Sequence, residues 1–468
     1  MEFRCNDGSQ VSCWRAPGLW LLVPLLACPP VALAQSTDTS APPGAPGSAP
    51  AADAADPDEP GFQWDFHWVD WQGLNFVVSQ PTKIKAKVDA VPLLHLDELR
   101  LAGSFGGRLE FDGAVNATNG SLGDFNDGVE LRRARITAKG TSIVGVPFSY
   151  RVDLGYVPGS FTVTQAYIQV AGIRYLGDLQ FGQFTPPVGL QMITSSWDIG
   201  FMEPAAALQA LAPGSQPGVQ LKDSFLEERG TWTLGAYAGL RSSSEYGSVS
   251  KSFGNLMGRL TWLAVNDTDD EKPAANKYLH LGLSGSYQSS PDGSIRYRSR
   301  PESYIAPFVI DTGSIAASSA KGIGLEALWV DGPFSAQAEL IRSRVDGDNA
   351  GALAFLGGYA QVGWFLTGES RPYNRSDATP GRITPRSNFG FGPDAGWGAV
   401  EAGARLSYTD LSTGPVQGGR LTMFMGTLNW ILRPQLKCMF EVGAGHVGDT
   451  AADGNFLLAQ VRMGLYFF

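Results

Sequence analysis

Three cations in the run ELRRARITAKG, namely Arg133, Arg135 and Lys139, fall at i, i+2 and i+6. On a β-strand alternate side chains share a face, so this spacing puts all three on one side. Charged groups stacked along a narrow wet wall draw ions by their summed field, and planar guanidinium groups can pass an oxyanion along by bidentate contacts. That chemistry is selective passage, with no bond made or broken. Alternation in the other strands adds Arg108, Arg151, Lys222 and Arg259, and then Arg405, Lys437 and Arg462. Glu110, Asp112, Asp153, Glu326, Glu339, Glu401 and Glu441 fall on the same faces. Two readings stand: a cationic wall that selects anions, or arginines neutralised by neighbouring carboxylates around a water-filled lumen.

Covalent chemistry finds little support. His67, His95, His280 and His446 lie in separate segments without metal-ligand spacing. Gly282-Leu283-Ser284-Gly285 fails the nucleophile-elbow pattern, and the glycines meet no phosphate-loop template. Neither an enzyme, a metal site nor a cofactor is expected. Cys5, Cys13 and Cys28 precede the expected cleavage site, leaving Cys438 without an internal partner for a disulfide. Without a basic cluster, nucleic acid is not an expected partner either.

The elements that must position the charged faces read as strands. FSYRVDLGY sets Phe148, Tyr150, Val152, Leu154 and Tyr156 against Ser149, Arg151, Asp153 and Gly155. VEAGARLSY, YLHLGLSGSY, LKCMFEVGAG and AQVRMGLYFF repeat the scheme. A soluble sandwich also alternates, so other features decide. The strands are long and even, as a bilayer crossing requires. Their apolar faces carry Tyr156, Trp232, Trp262, Trp329, Trp364 and Tyr408, positions suited to interfacial girdles. The chain holds 58 Gly in 468 residues and only 17% charged residues, which suits a β-protein facing something other than water. A sheet in lipid must close on itself. The expected fold is therefore all-β, a transmembrane antiparallel barrel of about 16 strands in the bacterial outer membrane, contacting its lipid, with long extracellular loops. Strand starts are expected near residues 100, 128, 147, 161, 176, 217, 230, 253, 277, 321, 334, 355, 397, 418, 434 and 456. Parity then puts two long connections, 266–276 and 368–396, at the periplasmic end, where short turns are expected.

Residues 1–34 read as a signal peptide, with an apolar core at Leu19 to Ala27 and Ala32-Leu33-Ala34 before the cut. Residues 35–60 are an Ala/Pro-rich disordered linker holding half of the net charge of −10. Residues 61–98 form an accessory segment with alternating aromatics, and 99–468 the barrel. The terminal Phe468 is expected to be read by the barrel-assembly machinery.

Several blocks together resemble the phosphate-selective porin O and P family. They are GGRLEFD (Gly106 to Asp112), ELRRARITAKG, FGQFTPPVGLQMITSSWDIGFMEP (Phe181 to Pro204), FLTGESRPYNR (Phe365 to Arg375), GWGAVEAGARLSYTDL and TLNWILRP. The resemblance implies a homotrimeric barrel, loops folded into its pore, and passage of small anions such as phosphate. The stretch from Phe181 to Leu221, broken by Pro186-Pro187, is then expected to fold inward as the constriction. Gln183, Thr185, Trp197, Asp198, Glu203 and Ser215 belong to it; its aromatics should pack on the wall while Asp198 and Glu203 stay available to the pore. Where the family block carries cations, this chain has Thr185, Pro204 and Ser215, which weakens the phosphate expectation. The alternative is a barrel serving as a structural or adhesive surface protein, with non-selective or no conductance. Hydrolysis by a barrel enzyme is disfavoured by the missing His–Ser pairing.

Overall fold

The computed structural model describes residues 63–68, 74–80 and 99–467, apart from 145, 158–159, 239–252, 269–275, 349–350 and 393–394. The expected signal peptide, the linker and Phe468 lie outside these residues.

The alternating segments form strands because a period of two gives each an apolar and a polar face at once. Two short strands come first, β1 (Gln63–Trp68) and β2 (Leu74–Gln80). The barrel begins with β3 (Leu99–Thr118), β4 (Gly128–Val144), β5 (Val146–Val157), β6 (Ser160–Ile173), β7 (Gly177–Phe184) and β8 (Gln216–Phe225). It continues with β9 (Gly230–Ala238), β10 (Phe253–Asp267), β11 (Lys277–Ser289), β12 (Ile315–Asp331) and β13 (Phe334–Gly347). The circuit is completed by β14 (Gly351–Phe365), β15 (Ala399–Thr413), β16 (Val416–Arg433), β17 (Leu436–Gly448) and β18 (Gly454–Phe467). Each pairs antiparallel with its sequence neighbour, and β18 closes on β3 with Arg462 opposite Asp112 and Phe467 opposite Gly107. Sixteen strands thus close a barrel as expected, the largest displacement being a start at 315 instead of 321.

Closure gives each of the sixteen barrel strands a hydrogen-bonded neighbour on both sides, as a sheet in lipid requires. Outward side chains such as Phe111, Ile136, Leu260, Leu325, Phe424 and Val442 are exposed and form an apolar belt. Trp262, Trp329 and Trp364 stand exposed toward the end with the short turns, and Tyr156 and Tyr408 toward the other. The hairpin of β1 and β2 adds to the same edge of β3 that β18 uses: Leu74–Gln80 pairs with Leu99–Phe105, and β18 takes over from Gly107.

Among the described residues three connections turn into the barrel, two from the loop end and one from the turn end. One of the former, residues 290–314 between β11 and β12, sets Glu302 against Arg405 and Ser407 of the wall. Residues 185–215, between β7 and β8, enter from the loop end and carry two short helices, α1 (Leu190–Ile193) and α2 (Ala206–Leu211). Residues 366–398, between β14 and β15, enter from the turn end; this accounts for the long connection that parity placed there. The interior of β13 to β16 is consequently a true core, with Phe201, Leu208, Ile341, Val345, Phe355, Met423 and Met425 all buried. The inward faces of these strands are therefore packed rather than wet.

Candidate pore and its constriction

Irregular backbone inside a barrel needs partners for its N–H and C=O groups, and the wall supplies them. Glu339 accepts from the Leu190 and Gln191 amides at 2.6 and 2.9 Å, and Glu441 from the Met202 amide at 2.7 Å. Lys437 donates to the Trp197 carbonyl at 2.8 Å, Asn429 to Gly200 at 2.7 Å and Arg405 to Glu203 at 2.9 Å. Inside the segment, Gln191 ties its two halves, its amide oxygen accepting from the Ala205 amide at 3.0 Å. Glycines set the close approach. A Cβ at Gly464 would lie 2.7 Å from the Trp197 ring, and one at Gly357 would lie 2.7 Å from Ala207 Cβ.

Glu203 is the strongest anchor. Its carboxylate takes Arg132 Nε at 2.8 Å, Arg133 Nη2 at 3.3 Å and Arg462 Nη2 at 2.6 Å. Burial alone would raise its pKa, but these guanidinium groups outweigh that and hold it well below the usual carboxylate range. Glu203 is buried and does not reach the pore, contrary to expectation. Asp198 does reach it, held 3.4 Å from Arg382. Trp197 packs on the wall against Tyr466, with ring centroids 5.5 Å apart. Thr185 and Ser215 meet at 3.1 Å where the segment leaves the wall, and both line the cavity, as does Pro204. Gln183 falls on the outer face and donates to the Val163 carbonyl at 2.7 Å; strand alternation with Phe181 puts it there, so it is no part of the constriction.

The 366–398 segment braces the insert from the other end. Arg371 donates to the Asp198 carbonyl at 3.1 Å and pairs with Glu401. Asp377 pairs with Lys222 at 2.9 Å, Arg259 donates to the Asp377 and Ala378 carbonyls, and His280 meets the Tyr373 hydroxyl at 2.7 Å.

Between these inserts and the wall from β4 to β10 lies a cavity of about 1470 Å³. Arg132, Arg133, Arg135, Lys139, Arg151, Lys222, Arg259, Arg298, Arg300 and Arg382 line it, against two carboxylates, Asp198 and Asp377. Other carboxylates that neutralise this wall stand behind the cations. Glu110 lies 2.6 Å from Arg133, Asp153 3.0 Å from Arg151, and Glu326 2.6 Å from Arg259, and all three are buried. A solute in the cavity therefore meets positive charge first, and in a low-dielectric tube the nearest charges dominate the field. The wall arginines are paired with carboxylates behind them, and the face they present to the cavity is cationic.

Arg133, Arg135, Lys139, Arg151, Lys222 and Arg259, all on strands, line the cavity. Arg108 does not; it sits in register with Tyr466, buried 3.3 Å from Glu110. Four lining cations escaped the sequence reading. Arg298, Arg300 and Arg382 lie on connections, where no period applies. Arg132 has the wrong parity for the lumen, and a β-bulge corrects it: Glu110 pairs with Arg133 and Phe111 with Leu131, so Arg132 is the extra residue and turns inward beside Arg133. A signal was present, since Glu130 and Arg133 break parity within one strand.

The model of the phosphate-selective porin O and P family matches residues 104–467. An uncharacterised protein of Caulobacter vibrioides is 28% identical over 339 residues, covering 69% of this chain and 64% of that protein's length. Porin O of Pseudomonas aeruginosa is 26% identical over 312 residues, covering 60% of this chain and 68% of its own. Among solved structures, an anion-selective porin from Comamonas acidovorans superposes with a TM-score of 0.49 at 12% identity, over 78% of this chain and all of that one.

Proposed function

Since the chain belongs to the phosphate-selective porin O and P family, and so is a porin of the bacterial outer membrane, we propose that its pore prefers small anions, phosphate-like oxyanions among them. The observation that carries this reading is the lining of the cavity, ten cations against two carboxylates, with buried carboxylates set behind the arginines. Passage is passive. An anion sheds part of its hydration shell to guanidinium and ammonium donors and moves between neighbouring sites without being held by any one of them. Arg133, Arg135, Lys139 and Arg151 form the wall of this path, Asp198, Thr185 and Ser215 belong to its narrow side, and Lys222 is partly masked by Asp377.

We further propose a homotrimer, as the family resemblance implies. Planar-bilayer recording tests the main reading. A reversal potential of anion-selective sign in a KCl gradient, with current blocked by added phosphate, is the expected result; a cation-selective sign removes the proposal.

A further inference from the structure

The connection from 290 to 314 carries a feature that inorganic-anion passage does not require. Its arms pair, Arg298 opposite Asp311 and Ser299 opposite Ile310, and the Val309 amide donates to the Ser299 carbonyl at 3.1 Å. Its tip is pinned by Glu302, which accepts from Arg405 at 2.8 Å and from the Ser407 hydroxyl at 2.6 Å. The two rings of this hairpin alternate with its own Arg298 and Arg300 and with Arg132 from β4. Arg132 lies 3.8 Å from the Tyr304 ring centroid, and Arg300 lies 4.8 Å from Tyr304 and 4.3 Å from Phe308. Arg298 completes the series at 4.0 Å from Phe308.

A guanidinium over a ring is held in orientation while the N–H groups not already bonded can take an oxyanion. Arg132 gives Nε and Nη2 to Glu203 and Arg300 gives Nη1 to the Ala306 carbonyl, which leaves Arg132 Nη1 and Arg300 Nε and Nη2 for that role. Holding a guanidinium so does not require the ring to be wetted. Yet Tyr304 and Phe308 remain 42% and 40% exposed beside the cationic cavity. Apolar ring surface next to oxyanion donors suits a solute that has both parts. We infer that this stack is a binding subsite for organic anions with a planar apolar body, aryl phosphates or aryl carboxylates, in which guanidinium edges take the anionic group and the rings take the body. Tyr304 and Phe308 are then specificity-determining residues. The inference rests on the anion-preferring reading above, and deepens it from charge to solute class.

The test compares phenyl phosphate with methyl phosphate as blockers of KCl current through the reconstituted full-length protein, above their second pKa, where both are dianions. Half-block by phenyl phosphate is expected at a concentration lower by roughly three- to tenfold, the range for one aromatic contact. In Phe308→Ala and in Tyr304→Leu the ratio between the two blockers should fall toward one. Because it is a ratio within one protein, a general change of pore shape does not mimic it, and Phe308→Leu provides the same readout if the alanine variant fails to fold. Equal block in the wild type, in a channel that is still anion-selective, overturns the subsite and leaves the anion reading intact. A cation-selective channel overturns both.

Discussion

The two sides of the barrel interior use the same residue types for opposite ends. From β13 through β18 to β3, wall groups such as Glu339, Glu441, Lys437, Arg405 and Arg462 are spent on the backbone of the inserted segment. On β4 and β5, Arg135, Lys139 and Arg151 line the open cavity. The difference is coverage. Where a loop lies over the wall, an ionised side chain must find a partner or remain as an uncompensated buried charge. Where no loop lies over it, the same side chain keeps part of its hydration and projects a field into the cavity. A polar lumen face is therefore a scaffold on one side and a selectivity filter on the other.

Substitutions on the two sides should separate stability from selectivity. The largest effect is expected for Arg462→Ala, which leaves Asp112 buried without its ion-pair partner and takes one of three guanidinium groups from Glu203; removing one member of such a network costs about 3–5 kcal/mol. A fall in the denaturant midpoint of the folded, heat-modifiable form would register it. Next comes Gly464→Ala, whose methyl group collides with Trp197. Overpacking of this kind costs about 1–3 kcal/mol, and because the constriction must shift, single-channel conductance should change with it.

On the open side the balance reverses. Arg135→Ala with Lys139→Ala should alter stability by less than about 1 kcal/mol, since both groups are partly solvated. The chloride-to-potassium permeability ratio should nevertheless fall roughly two- to fivefold with the loss of two lining charges. A stability loss equal to that of Arg462→Ala would break the contrast between the two sides. The smallest structural effect is expected for Thr185→Lys, a cation placed where the resembling family block has one and where the side chain already lines the cavity. Stability should move within about 0.5 kcal/mol, while phosphate block should tighten a few-fold; no change in block would mean that the cations from the 290–314 and 366–398 connections already suffice.

Much of the barrel was legible in the order of residues. Alternation placed the strands and the wall charges from Arg133 to Arg259, because a strand's side-chain period is fixed by its backbone. Parity also exposed the long 366–398 connection as an anomaly, and the anomaly proved to be an insert. Glu203 was misread because an acid in a loop looks available until the three guanidinium groups that seize it are seen together, from residues 132, 133 and 462. Arg132 was missed because one bulge residue reverses parity.

By itself the sequence determined the strands, their inward and outward faces, and the aromatic belts, since these follow from a local period and from the demand that lipid-facing backbone be paired. It also held the motifs that mark the family. Only the tertiary structure decided which lumen charges remain in the pore. That depends on where the inserted segments come to rest, and their resting place is set by contacts between residues far apart in the chain, such as Met202 with Glu441 and Glu203 with Arg462.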